Sequence, residues 1–186
     1  MRLHILSDLH IEFAPFDLPN VNADAVLLAG DVHTGRNGLR WIREKMPTVP
    51  VVYVLGNHEF YGQNIPTLVD DLRELAHGTN VSVLENALVE IGDVIFLGAT
   101  LWTDFQLSGD VVMSQVAAVT NMTDFKRIRV APRYTRLRPA DTRRFHARTL
   151  EWLRGACERH SGRKLVIVTH HAPSGSSVPV RFTDHP

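Results

Sequence analysis

The stretch "PVVYVLGNHEFYG", Pro50 to Gly62, runs from a buried-strand pattern straight into Gly, Asn, His and Glu. A short apolar run rich in β-branched residues reads as a strand covered on both faces. A turn after it has use for a Gly and an Asn. It has no use for His58 and Glu59 behind them. The same arrangement recurs along the chain. "LHILS" (Leu3 to Ser7) leads into Asp8 and His10, and "AVLLAG" (Ala25 to Gly30) into Asp31 and His33. "KLVIVTH" (Lys164 to His170) ends in His170 and His171. In open α/β sheets, sites form beyond the carboxyl ends of the strands. Strands distant in sequence can thus bring these side chains to one crevice.

The segments between the strands fit that architecture. From Asn64 to His77, Leu68, Leu72, Leu75 and Ala76 share a helical face, with Pro66 in the first turn and Gly78 as a stop. Gly38 to Lys45 is a shorter helix ended by Met46-Pro47. Pro139 to Arg159 places Phe145, Thr149, Trp152, Leu153 and Ala156 on one face. "ENALVEIGDVIFLGA" divides at Gly92-Asp93 into two strands, the second being Val94 to Ala99. The order β-α-β-α, a hairpin, then helix and strand predicts an α/β fold with a mixed sheet. "DVVMSQVAAVTNM" fits a helix, and "DFKRIRVAPRYTRLRP" reads as an irregular crossing loop.

The totals narrow the function classes. The 186 residues suit one domain, and 44% hydrophobic content suffices for a sizeable core. Lys+Arg and Asp+Glu are both 20, a balance that argues against a dedicated nucleic-acid or membrane-surface protein. A single cysteine, Cys157, excludes an intramolecular disulfide and a cysteine-based zinc site, and suits a reducing compartment. "MRLHILSDLHIEF" does not read as a signal peptide, and no apolar run is long enough to span a membrane. A cytoplasmic location is the expectation.

Carboxylate, imidazole and amide ligands without thiolates suit manganese, iron, zinc or cobalt better than calcium. One carboxylate can bridge two such ions about 3.5–4 Å apart, a spacing that grips a phosphoryl oxygen. Taken singly, an Asp-x-His or a Gly-Asp after a strand is ordinarily a turn or a helix cap. Their recurrence at four strand ends is what favours a metal site.

"SDLH", "AGDVH", "GNHE" and "VTHHAP", in this order, resemble the calcineurin-like metallophosphoesterase family. The extended forms "SDLHIEF", "GNHEFYG" and "GATLWTDF" resemble most a bacterial, cytoplasmic branch of that family. The resemblance spans Asp8 to Pro173. It implies a four-layer α/β/β/α sandwich of mixed sheets in a single domain, residues 1–186. It also implies two divalent ions and a hydroxide between them that attacks phosphorus. Asp8 and His10 would bind the first metal, Asp31 would bridge both, and Asn57 and His170 would bind the second. His171 is the alternative to His170, because neighbouring side chains point oppositely on extended backbone. His58 would stand over the leaving-group oxygen as the catalytic residue. Glu59 would act behind the ligands, for example by orienting a His, and His33 is a further candidate behind the ligands or toward substrate.

Two departures from the family pattern stand out. The final G-H-x-H block is absent before "RFTDHP", and His185 lacks the context to replace it. The resemblance therefore implies a C-terminally incomplete fold and site. Where some family members pair an Asp with the catalytic His, this chain has Thr34, so any partner for His58 must come from elsewhere. The expected activity is hydrolysis of a phosphomonoester or phosphodiester. The alternative is an impaired or inactive metal-binding or interaction module.

The remaining features have less to say about chemistry. From Lys126 to Arg148 there are nine basic residues against Asp141 alone. That is either a rim attracting phosphorylated substrates or a solvated helix face, and nucleic acid is a possible but not favoured partner. Trp102 reads as core, with Asp104 beside it, and Cys157 as a small apolar residue.

Overall fold

The computed structural model of the chain describes residues 1–178, so His185 lies outside the described residues. Among the described residues, ten strands and five α-helices form two principal sheets, a small third sheet and the helices that flank them. The first sheet holds β1 (Leu3–Leu6), β2 (Ala25–Ala29), β3 (Val51–Val54) and β5 (Val81–Leu84) in that order, all parallel. Helix α1 (Asn37–Lys45) connects β2 to β3, and α2 (Thr67–Ala76) precedes β5. The second sheet is mixed. β7 (Val94–Ala99) pairs with β6 (Ala87–Ile91) in an antiparallel hairpin and with β10 (Lys164–Thr169) in parallel.

The layers follow from which faces are apolar. Leu39 and Ile42 of α1 and Leu68 and Leu72 of α2 cover the outer face of the first sheet against Val26, Leu28 and Tyr53. Its inner face, Leu27, Val52 and Val54, meets Val94, Phe96 and Val168 of the second sheet. On the far side of that sheet, Ile95 and Leu97 pack under Trp152, Leu153 and Ala156 of α5 (Pro139–Arg159). β2, β3 and β7 are thus buried and apolar on both faces, which is why those runs read as continuous, whereas β6 alternates. Full burial of each such Leu or Phe contributes about 1.5–3 kcal/mol. The order helix, sheet, sheet, helix is the four-layer sandwich that the family resemblance implied. Among the described residues no helix is long and apolar enough to cross a membrane.

The stretch read as an irregular loop is more ordered than expected. A short helix, α4 (Asp124–Arg127), leads to β8 (Arg129–Val130) and β9 (Thr135–Arg136), which pair with each other, and β8 also pairs with β4 (Asn64–Ile65). Two-residue strands carry no periodicity, so this sheet is not visible in the sequence pattern. The helix expected from Asn64 starts instead at Thr67, because Asn64 and Ile65 are taken up by β4. Helix α3 (Val111–Asn121) forms as expected.

Glu85, just beyond β5, ties the two sheets together through Thr100. Its carboxylate is within 2.8 Å of the Thr100 N–H and 2.7 Å of the Thr100 hydroxyl, which also lies 2.8 Å from the Leu55 carbonyl. One hydroxyl proton cannot serve both acceptors. The carboxylate therefore competes with the Leu55 carbonyl for that proton. Burial raises the Glu85 carboxyl above its ordinary 4.5, against the hydrogen bonds from Thr100 and the charge of Arg73. The folded chain then holds a proton that the unfolded chain has released, so stability falls as pH rises from 4.5 through the raised value. Each unit of displacement corresponds to about 1.4 kcal/mol. Urea unfolding from pH 4 upward should show this decline in the wild type and a flatter profile in Glu85→Gln.

Candidate metal centre

The carboxyl ends of β1, β2 and β3 point the same way, and β10 delivers His170 against the end of β2. Three of the residues just past these strands sit in left-handed backbone: Asp8 (φ +55°), His10 (φ +46°) and Asp31 (φ +54°). Such conformations cost about 1–3 kcal/mol each and persist where surrounding contacts over-determine them. Here the contacts are backbone bonds between the two loops. Asp8 N–H donates to Gly30 O at 3.1 Å, His10 N–H to Asp31 O at 2.9 Å and Ile11 N–H to Val32 O at 3.0 Å.

Asp31 lies at the centre and is buried. Its Oδ2 is 3.7 Å from His10 Nε2, and its Oδ1 is 3.6 Å from His170 Nε2. The two oxygens of one carboxylate thus face two different imidazoles. On the first side Asp8 Oδ1 comes within 3.9 Å of His10 Nε2. On the second, Asn57 Oδ1 is 3.1 Å from His170 Nε2. Asp8, Asp31 and His170 can bring ligand atoms within 4.8 Å of one another, and so can His10, Asp31 and His58.

The chemistry of these donors fits cations. His170 Nδ1 lies 2.8 Å from the Ala29 carbonyl, which can only accept, so Nδ1 carries a proton and Nε2 is the nitrogen left to bind a cation. Asn57 is oriented by its amide nitrogen, which donates to Asp124 Oδ1 at 3.0 Å. Its oxygen therefore faces Nε2 of His170. Three potential ligand atoms, Asp31 Oδ1, Asn57 Oδ1 and His170 Nε2, converge here. A divalent cation is what such a set holds.

His171 turns the other way. Its Nδ1 is 3.1 Å from the Thr100 carbonyl, and its ring packs 5.5 Å from that of Trp102. Burial first, and then the neighbouring His170, pushes its pKa down to about 4. Of the two histidines, His170 is the one at the cluster. His33 joins neither ligand group; its Nδ1 lies 3.3 Å from Thr34 Oγ1.

Glu59 does something other than orient a His. Its fully buried carboxylate accepts from the N–H groups of Asp31 (2.9 Å), Val32 (2.7 Å) and Gly56 (2.8 Å) and from the Tyr53 hydroxyl (2.9 Å). It clamps the loop after β2 to the loop after β3. Burial and then the Asp31 charge raise its pKa, and the donated hydrogen bonds pull the other way. Gly56 is also more than a sharp turn. A Cβ there would lie 2.6 Å from Asp31 N and 2.8 Å from Asp31 Cγ, so only glycine lets the two loops close. Gly30 does the same for His170, whose Cγ would be 2.6 Å from a Cβ at that position.

The structure supplies the partner of His58. Glu12 Oε1 accepts from His58 Nδ1 at 2.8 Å and from His10 Nδ1 at 3.3 Å. One carboxylate holds both imidazoles with their Nε2 atoms outward. Burial raises the Glu12 carboxyl, but the hydrogen bonds from His58, its own backbone and His10, with the His58 charge, leave it below its ordinary value. The His58 backbone N–H donates to Asp31 Oδ1 at 2.8 Å, which fixes the 3-10 turn His58–Phe60 to the cluster. Sequence reading missed Glu12 and Asp124. Glu12 stands only two residues past His10, in a turn whose geometry no periodicity reveals. Asp124 is 67 residues from Asn57.

Three findings from known proteins bear on this geometry. The family model for calcineurin-like phosphoesterase matches residues 1–185. An uncharacterized protein of Acanthamoeba polyphaga mimivirus is 27% identical over 131 residues, 66% of this chain and 45% of that protein. The chain thus matches less than half of that relative's length. A phosphopantetheinyl hydrolase from Mycobacterium tuberculosis superposes with a TM-score of 0.67 at 20% identity, covering 92% of this chain and 68% of that one, a likeness of fold. With four motif blocks at the strand ends, the four-layer sandwich and a match along nearly its whole length, the chain belongs to the calcineurin-like phosphoesterase family, hydrolases of phosphoester bonds that use divalent metals.

Proposed function

We propose that this chain, as one metallophosphoesterase domain, hydrolyses phosphomonoesters or phosphodiesters at the cluster around Asp31. The observation that carries the proposal is the division of the Asp31 carboxylate, Oδ2 toward His10 and Oδ1 toward His170. Asp8, His10 and Asp31 would hold one divalent cation, and Asp31, Asn57 and His170 a second. Such a pair, when bound, supplies Lewis-acid charge at the phosphoryl oxygens and makes a water nucleophilic at neutral pH.

The protein's own part is positioning and proton handling. Glu12 accepts a hydrogen bond from His58 Nδ1–H, so Nε2 faces outward and can meet the leaving-group oxygen. There it donates a proton or a hydrogen bond as charge develops on that oxygen. Asp124 keeps the Asn57 amide turned so that its oxygen, not its nitrogen, reaches the cluster. Glu59 and Gly56 hold the two loops at the separation the cations require.

Protein loaded with Mn²⁺ should hydrolyse generic mono- or diesters, and chelation should remove the activity. No turnover above background in the loaded protein sinks the proposal in favour of a binding module without catalysis. Glu12→Gln keeps an acceptor for one imidazole but removes the charge. It should lower kcat about ten- to a hundredfold at saturating metal, in line with carboxylates that orient ligand histidines. Glu12→Asp should recover part of the loss. Steady-state kinetics on the three proteins checks this.

A further inference from the structure

From the surroundings of His58 we infer that the leaving group carries a flat aromatic ring, which stacks on Phe13, so that the substrate class is nucleotide-like phosphoesters. The inference rests on the hydrolase reading above and names the substrate of that same site.

Phe13 is 76% exposed, the most open large apolar side chain among the described residues. A core has no use for it there. Yet it is not on a loose loop. Phe13 N–H donates to His10 O at 2.9 Å, and His10 and Ile11 are in turn bonded to the loop after β2. The backbone thus holds Phe13 beside the cluster, with the ring centroid 5.8 Å from that of His10 and 6.1 Å from that of His58. His58 is the residue that meets the leaving-group oxygen, so Phe13 stands where the rest of the leaving group must lie.

The other flank of His58 carries complementary chemistry. Tyr61 packs on the His58 ring at 4.3 Å, and the exposed Arg127 guanidinium lies 5.0 Å over the Tyr61 ring. A nucleotide offers both an aromatic base for Phe13 and negative charge for Arg127. A simple sugar phosphate offers Phe13 nothing to stack on. Base–aromatic stacking is tolerant of sequence and is lost on truncation of the aromatic side chain.

The test compares substrates that differ only in the base. Adenosine 5′-monophosphate is set against ribose 5-phosphate, and their methyl diesters form a second pair in case the protein cleaves diesters. The wild type should prefer the base-bearing member in whichever pair it turns over. Phe13→Ala should reduce the ratio of their kcat/KM values about tenfold, and Phe13→Trp should keep it. Adenosine should inhibit the wild type competitively and Phe13→Ala more weakly, a readout that does not depend on cleaving a nucleotide. Turnover of both members with equal efficiency overturns the inference and leaves the hydrolase reading standing. Equal losses on both members in Phe13→Ala also overturn it, because the ring would then serve His58 rather than the base. No turnover of any of the four esters, in Mn²⁺-loaded protein that hydrolyses generic esters, also overturns the inference, whereas no turnover of generic esters either overturns the hydrolase reading itself.

Discussion

Asp31→Asn should fold normally, bind fewer than two metal ions and lose nearly all hydrolysis. Folding survives because Asn is one of the few residues at ease at a positive φ such as the +54° found here. Its side-chain oxygen can still accept from the His58 N–H. The substitution also takes a negative charge away from the buried Glu59, whose carboxyl that charge pushes up. What it removes is the second anionic oxygen, so one carboxylate no longer serves both His10 and His170. Loss of a shared cation ligand removes several kcal/mol of charge stabilisation, and about 4 kcal/mol corresponds to roughly a thousandfold in rate. Metal content by mass spectrometry of dialysed protein and kcat/KM for the preferred ester measure the two effects. A thermal midpoint near that of the wild type separates them from misfolding.

The second large effect is expected at a residue that performs no chemistry. Gly56→Ala places a methyl group 2.6 Å from Asp31 N and 2.8 Å from Asp31 Cγ, both buried and tied down by Glu59. Neither atom is the tip of a flexible chain, so the loops must part. Overpacking of this kind costs about 1–3 kcal/mol of stability. Function should suffer more than stability, because the displaced atoms belong to the shared carboxylate. A misplacement of about 1 Å can cost on the order of a hundredfold in rate. Thermal denaturation and steady-state kinetics together check this. A variant destabilised but fully active would show that the loops move without disturbing Asp31.

These two residues also mark what a sequence can and cannot reveal. β2, β3 and β7 were legible because burial on both faces writes itself as short continuous apolar runs, and α5 because its apolar face repeats over 21 residues. Asp8, His10, Asp31, Asn57 and His170 were legible because each directly follows a strand, and parallel strands bring such positions together. The choice between His170 and His171 needed three dimensions. Thr100 and Trp102 come from the strand beside β10 and its following loop, and they claim His171. Glu12 and Asp124 were illegible for the same reason, since a buried acceptor is recognised by what donates to it. The reading of Gly56 as a turn residue missed a close approach across strands, which local sequence does not encode.

Whether Asp31 serves two cations at once is tested directly by anomalous scattering from a crystal of the protein soaked in Mn²⁺. Two peaks about 3.5–4 Å apart are predicted, one among Asp8, His10 and Asp31 and the other among Asp31, Asn57 and His170. A single peak, or peaks that do not share Asp31, would contradict it.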